Sequence, residues 1–429
     1  MKIGFIDPFS KTRSITLNKY MLSVLKERKD YFPVWTSPNL GLLTMAALVP
    51  SGWDVTYVSS FEDAVRLKDD FDIIAIGGVT HQAESMCKIA AKFRKKGAYV
   101  VIGGIHATVV PDEVKDYADT IIVGEAENTF VQFIADFSAG KPQPFYRQDS
   151  EVDVSQSPIP RYDLVHEHFQ NYPVQTTRGC PHNCKFCCVS PIYGKNYRHK
   201  ENDQVVEEIK FLKSVKSNPF VIFVDDNIFV NKPLSYQLME SIIPLDIKWH
   251  AMTDVSVGED REFLKLLFRA GCKQLFLGFE SMNPENIHDL QKSHWKAKKV
   301  RKYEEIVRNI QDNGIRVFGA FILGFDKDTE EDFQRIRDFV IKNGILGLFT
   351  ILTPVPGTEL YDEYQKAGRL IKERSWQYYT FTDCVIKHPR FTADELEKAV
   401  ADLYRITYSK DNYAQVMSQL IKMYKRLAT

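Results

Sequence analysis

Four of the seven cysteines lie close together, as Cys180, Cys184, Cys187 and Cys188 in the run TTRGCPHNCKFCCVS. The thiolate is the form of cysteine that binds metal, and three of them in one short loop can hold three irons of a cubane 4Fe-4S cluster. The spacing Cys180-x-x-x-Cys184-x-x-Cys187 supplies that trio. The fourth iron is then left without a protein ligand, so a bidentate small molecule can chelate it and receive an electron. Gly179 and Pro181 help shape a tight loop, and Phe186 can shield one face of the cluster from water. A zinc knuckle using His182 or Cys188 as fourth ligand is the alternative; structural zinc favours paired Cys-x-x-Cys or Cys/His units, and no second unit follows. Cys188 reads as a packed loop thiol, and the isolated Cys87, Cys272 and Cys384 as small core hydrophobes.

Such a loop needs a rigid frame. From Val174 onward, short β-rich runs (174–177, 219–225, 247–252, 274–280, 316–324 and 347–353) alternate with helical patterns (203–217, 233–243, 261–270, 297–313 and 330–343). A closed eight-unit barrel typically takes about 250 residues, so these six units fit an incomplete (β/α)6 TIM-type barrel. The cysteines follow its first strand, which places them on the C-terminal face where barrel chemistry is done. Upstream, runs at 2–7, 54–58, 71–76, 98–103 and 120–123 alternate with helical patterns at 39–49, 81–95, 111–116 and 127–137. That alternation predicts a Rossmann-like, doubly wound parallel sheet, which binds ligands beyond the carboxyl ends of its strands. Those ends carry Gly77-Gly78-Val79-Thr80, Gly103-Gly104-Ile105-His106 and Gly124-Glu125, small enough for close approach to a flat or phosphate-bearing ligand; tight strand-to-helix turns are the plainer reading of the same glycines.

The expected organisation is therefore α/β throughout: residues 1–140 a Rossmann-like domain, 141–172 a linker with four prolines, 173–360 the partial barrel, and 361–429 a helical extension. The first connection, residues 9–38, is long and mixes basic and aromatic residues, as a cover for a ligand site would. The chain has 429 residues with 56 basic and 56 acidic side chains, so its formal charge of zero offers no basic surface for nucleic acid. No apolar run approaches the roughly 18 residues of a membrane span, and the start lacks a signal-peptide pattern, so a cytoplasmic location without an integral membrane segment is expected.

The motif Cys180-x-x-x-Cys184-x-Phe186-Cys187 on a partial barrel resembles the radical S-adenosylmethionine (SAM) superfamily. The resemblance implies a cluster whose open iron takes the amino and carboxylate groups of SAM, reductive cleavage to a 5′-deoxyadenosyl radical, and an external electron donor such as flavodoxin or ferredoxin. It assigns Asp225 and Asp226 to the methionine ammonium or the ribose, Glu280 and Ser281 to the methionine carboxylate side or the ribose, and the strand carrying Gly319 and Gly324 to adenine; a helix cap or turn is the plainer reading of the carboxylates. The order PNLGLLTMAAL, FDIIAIGGVTHQ, VVIGGIHATVVPDE, ADTIIVGEAENTF resembles the cobalamin-binding domain that precedes many of these barrels. The Asp-x-His-x-x-Gly pattern that supplies a histidine to cobalt is absent, so the resemblance implies cobalamin held without histidine ligation. Backbone at Gly77, Gly78, Thr80, Gly103, Gly104, His106, Gly124 and Glu125 would hold it, His106 acting by hydrogen bonding in its loop. The function implied is cobalamin-dependent methylation or C–C bond formation at an unactivated carbon of a small-molecule or lipid substrate. Two alternatives stand beside it: a cobalamin-free radical enzyme moving the 3-amino-3-carboxypropyl group of SAM to a soft acceptor, and a zinc-stabilised binding or scaffold protein.

Overall fold

The computed structural model describes residues 1–9, 18–28, 36–288, 290 and 294–427. The first sheet contains β1 (Lys2–Ile6), β2 (Asp54–Val58), β3 (Ile73–Gly77), β4 (Tyr99–Gly103), β5 (Thr120–Val123) and β6 (Phe145–Arg147) in the order β2-β1-β3-β4-β5-β6, all parallel. The connections reverse direction between β1 and β3, which opens a crevice at their carboxyl ends. β3 is buried along its whole length, as an Ile-rich strand is when helices cover both faces of a parallel sheet. The helix Ala83–Lys95 lays Met86, Ile89, Ala90 and Phe93, one stripe at helical spacing, against Ile74, Ile76, Val100 and Ile102. On the opposite face, Phe5, Ala75 and Val101 join Phe130 and Phe133 of the helix Glu127–Ser138 in a core that continues into the second sheet.

The second sheet begins with β7 (Tyr172–Val174). A short antiparallel pair follows, β8 (Thr177–Arg178) with β9 (Arg198–His199). Then come β10 (Phe220–Phe223), β11 (Lys248–Thr253), β12 (Cys272–Glu280), β13 (Arg316–Leu323) and β14 (Leu346–Ile351), in the order β14-β13-β12-β11-β10-β7 and all parallel. Each strand neighbours its predecessor in the repeat, the succession of a partial barrel. An incomplete barrel has edges, and β14 is one of them. The C-terminal helix Ala393–Thr407 covers it: Phe349 N donates to Tyr404 Oη at 3.1 Å, and Tyr408 Oη donates to the Gly347 carbonyl at 3.1 Å.

Three expectations change. Residues 145–147, expected in a linker, add the sixth strand to the first sheet, and Val152, Val154, Tyr162 and Val165 of the same segment are buried. The first barrel strand ends at Val174, and Thr177 belongs to the small antiparallel pair instead. Of the long first connection, the helix Lys19–Arg28 docks on the C-terminal region, with Asn18 Nδ2 donating to the Thr382 carbonyl at 2.6 Å and Tyr20 Oη to Asp394 at 2.6 Å. The rest of that connection, 10–17 and 29–35, lies outside the described residues. Cys272 and Cys384 are fully buried and Cys87 packs half-buried on the second core, as small hydrophobes do. Among the described residues no helix is long and apolar enough to cross a membrane.

Candidate active site

Residues 179–197 leave and re-enter the fold through β8 and β9, whose pairs Thr177↔His199 and Arg178↔Arg198 close the base of the cysteine loop. Gly179 opens the loop with φ at +91°, and a Cβ there would lie 2.3 Å from the Asn196 carbonyl oxygen, so only glycine fits. Cys187 N donates to the Cys184 carbonyl at 3.0 Å, Lys185 N to that of Leu290 at 3.1 Å, and Leu360 N to that of Lys185 at 3.1 Å. Backbone bonds thus pin the loop to Leu290 and to the start of the helix Glu359–Lys366. Cys180, Cys184 and Cys187 are half-buried, and Phe186 packs half-buried against the main core. Burial pushes the Cys180 thiol up to about 11 and raises Cys187 as well, so thiolates here would need a positive charge beside them.

The donor set fits a cluster better than zinc. His182, the candidate fourth zinc ligand, shares a 3.2 Å hydrogen bond between its Nε2 and Asp254 Oδ2, and its ring lies 5.0 Å from that of Trp295. Structural zinc takes four converging protein donors, whereas the loop offers three cysteines at the cluster spacing and His182 is turned to Asp254.

Beside the loop, a cavity of about 470 Å³ lies between the carboxyl ends of the two sheets. Gly77, Gly78, Gly103, Gly104 and Gly124 line it from the first sheet, and Arg178, Cys188, Val189, Tyr193 and Asp226 from the barrel side. Gly104 has φ at +87°, and a Cβ would come within 2.8 Å of Gly78 N, so glycine keeps this wall open. Cys188 is a cavity-wall thiol rather than an enclosed one, half-buried and raised in pKa by burial. Asp226 is pushed up to about 6 by burial, and its Oδ2 accepts the Gly179 N–H at 3.1 Å.

Several expected contacts fall elsewhere. Asp225 is fully buried and absent from the cavity wall; its Oδ1 accepts from Thr176 N and Oγ1, each at 2.9 Å, and from Thr177 Oγ1 at 2.6 Å, clamping the strand before the cysteine loop. Gly319 shares a strand face with Phe321, and a Cβ would meet the Phe321 and Phe279 rings at 2.8 and 2.9 Å. Those rings pack on Phe339 of the outer helix Glu330–Asn343, so this glycine serves aromatic packing outside the barrel. Gly324 packs towards Leu396, and its N–H donates to Asp328 at 2.7 Å. Thr80 and His106 are buried away from the cavity wall, with Thr80 Oγ1 and both His106 ring nitrogens lacking partners among the described residues. His106 instead sets its ring 5.8 Å from that of Trp376, edge to face, and burial lowers its pKa to about 4. The N–H groups of Gly124 and Glu125 are engaged by Thr108 Oγ1 at 3.0 Å and Gln148 Oε1 at 2.7 Å, so they shape the cavity without donating into it.

At the end of β12 a register shift between Gly278 and Glu280 re-aims the chain, and Glu280 takes φ at +64°, uncommon for a side-chain-bearing residue. Its Oε1 accepts from Lys296 Nζ at 2.8 Å in a nearly buried pair. Burial works against the Lys296 charge, but Glu280 more than offsets it and raises the pKa. Ser281 is buried, its Oγ accepting from Asn283 N at 3.0 Å and Asn286 Nδ2 at 3.3 Å. Lys296 carried no signal in the sequence, sitting in the basic run HWKAKK. Arg178 carried one that went unread, its place immediately before the Gly179-Cys180 step.

Comparison with known proteins adds independent findings. The model of the radical SAM superfamily matches residues 174–340, and that of the B12 binding domain matches residues 36–134. The bacteriochlorophyllide d C-8(2)-methyltransferase of Chlorobaculum tepidum is 30% identical over 371 residues, covering 82% of this chain and 81% of that protein. The C-12(1)-methyltransferase of the same organism is 28% identical over 383 residues, covering 87% and 83%. Among solved structures, the radical S-adenosylmethionine methyltransferase TsrM from Kitasatospora setae, with cobalamin and a 4Fe-4S cluster bound, aligns over 100% of both chains with a TM-score of 0.66 at 15% identity, a likeness of fold.

Proposed function

Since the chain belongs to the radical SAM superfamily, in the group whose barrel follows a B12-binding domain, and is a cobalamin-dependent radical enzyme of the methyltransferase class, we propose that it methylates an unactivated alkyl carbon of a largely apolar, ring-bearing small molecule. The observation that carries this reading is the single cavity walled by the glycine-lined ends of the first sheet on one side and by the Cys188–Tyr193 flank of the cysteine loop on the other. Chlorobaculum relatives that act on bacteriochlorophyllide d support the substrate class.

When loaded, the cluster supplies the electron that cleaves SAM and cobalamin supplies the methyl group. The remaining work belongs to the chain. Cys180, Cys184 and Cys187 would hold the cluster, and Phe186 would keep water from the loop. Glu280, held by Lys296, would offer its carboxylate to the SAM ammonium, and Lys296 would offer its charge to the SAM carboxylate. Ser281 fixes the turn that follows. Gly77, Gly78, Gly103 and Gly104 leave the space in which the corrin of cobalamin would lie against backbone, which makes this cavity the cobalamin site. Asp226 bridges the cavity wall to Gly179 at the start of the cysteine loop, which fixes their relative position. An external one-electron donor of the flavodoxin or ferredoxin kind, in the cytoplasm, completes the cycle.

Anaerobic protein reconstituted with iron, sulfide and hydroxocobalamin, then given SAM, a low-potential reductant and bacteriochlorophyllide d as trial substrate, tests the proposal. It expects 5′-deoxyadenosine and S-adenosylhomocysteine together with a methylated product. Formation of 5′-methylthioadenosine instead would assign the other carbon–sulfur cleavage and overturn it.

A further inference from the structure

The cavity and the cysteine loop share one buried ion network. Glu125, just beyond β5, reaches both sides of the loop's base: its Oε1 accepts from Arg178 Nη1 at 2.6 Å and its Oε2 from Arg198 Nη1 at 2.8 Å. Glu127, opening the next helix, accepts from Arg178 Nη2 at 2.8 Å. The side chains of Glu125, Glu127, Arg178 and Arg198 are only 1%, 10%, 10% and 13% exposed. Burial lowers the Arg178 pKa, but Glu127 and Glu125 more than offset this and raise it. Burial likewise raises that of Glu125, yet Arg198 and Arg178 together hold it below the usual carboxylate range.

An unpartnered buried charge is strongly destabilising, so neither side of this network can move without the other. Glu125 and Glu127 come from the connection and helix that follow β5 of the first sheet, whereas Arg178 and Arg198 are the facing residues of the strand pair that closes the cysteine loop. Glu125, Glu127 and Arg178 also stand in the cavity wall. A ligand seated there would bear on the Gly124–Glu127 segment, whose carboxylates hold the two arginines from which the loop springs.

We propose that Glu125 and Glu127 are positioning residues for the cysteine loop, coupling occupancy of the cavity to cluster binding through Arg178 and Arg198. The inference rests on the reading of the cavity as the cobalamin site. Coupling of this kind is reciprocal: a loaded cluster tightens cobalamin binding by the factor by which cobalamin tightens cluster retention.

The test titrates hydroxocobalamin into the full chain under anaerobic conditions, followed by its absorbance, once with the cluster intact and once after chelation of the iron. Binding should be about fivefold tighter or more with the cluster present. Glu127→Gln, which weakens one of the two carboxylate contacts to Arg178, should bring the ratio close to one while both cofactors still bind. Glu207→Gln, at the exposed ion pair with Lys210, should leave the ratio as in the unaltered chain. Equal affinities in the two states of the unaltered chain would overturn the coupling, and this arm needs no variant to fold. Absence of cobalamin binding in both states would overturn the reading of the cavity on which the inference rests.

Discussion

At the residue scale, adjacent cysteines have different roles because their surroundings differ. Cys187 N donates to the Cys184 carbonyl within a turn pinned to the barrel, whereas Cys188 stands in the cavity wall as the residue before the helix Val189–Tyr193. If Cys180, Cys184 and Cys187 hold the cluster as proposed, replacing any one of them by Ala removes one of three iron ligands, so iron and acid-labile sulfide should fall to background and SAM cleavage should cease. Cys188→Ala should keep its iron, and elemental and sulfide analysis of the four purified variants checks the contrast. Asp225 and Asp226 divide in the same way. Successive residues near a strand end point to opposite sides, so one became a buried clamp on Thr176 and Thr177 and the other faced the cavity. Their adjacent positions carried the site; which carboxylate faced it depended on the register of β10.

At the element scale, the geometry of the cavity is set where strands stop. β3 and β4 end in glycine pairs, and Gly104 lies against the Gly78 backbone closely enough that a Cβ would meet Gly78 N at 2.8 Å and O at 2.9 Å. Gly104→Ala combines that clash with a positive φ, whose strain is of order 1–3 kcal/mol. The variant should therefore lose about 1–3 kcal/mol of unfolding free energy while iron still loads, a pair of results read by denaturant midpoint and metal analysis. The small β8–β9 pair acts as the other decisive element. Two residues per strand suffice to close the cysteine loop because Arg178 and Arg198 are anchored in the first sheet's carboxylates.

At the scale of the whole molecule, two parallel sheets meet through a continuous core, with the helical extension against the barrel's last strand. That extension has a definite structural task. Tyr404→Phe would leave Phe349 N without its acceptor at a buried sheet edge, an expected loss of about 1–3 kcal/mol in unfolding free energy. Tyr408→Phe removes a donor to the Gly347 carbonyl, and about 0.5–1.5 kcal/mol is expected. Denaturant midpoints of the two variants should rank in that order. A larger effect for Tyr408→Phe would show that edge coverage is not what the first tyrosine provides.

The order of strands and helices, the cluster motif and the pairing of two α/β units were legible in the amino-acid sequence, because apolar periodicity and cysteine spacing are local properties. The place of Gly77, Gly78, Gly103 and Gly104 at the cavity wall was legible by the same logic, since a strand end followed by glycine announces itself within a few residues. Gly319, Gly324, Thr80 and His106 were misread because which face of a strand or helix points at a ligand is fixed by packing partners such as Phe339, Leu396 and Trp376, all distant in the chain. Lys296 and the Glu125–Arg178–Glu127 network belong to the same class. Sequence alone determined that three thiols would gather on a loop at the carboxyl end of a barrel. Only the tertiary structure decided which charges hold that loop, because complementary ions far apart in the chain become partners only when folding excludes the water that would otherwise screen them.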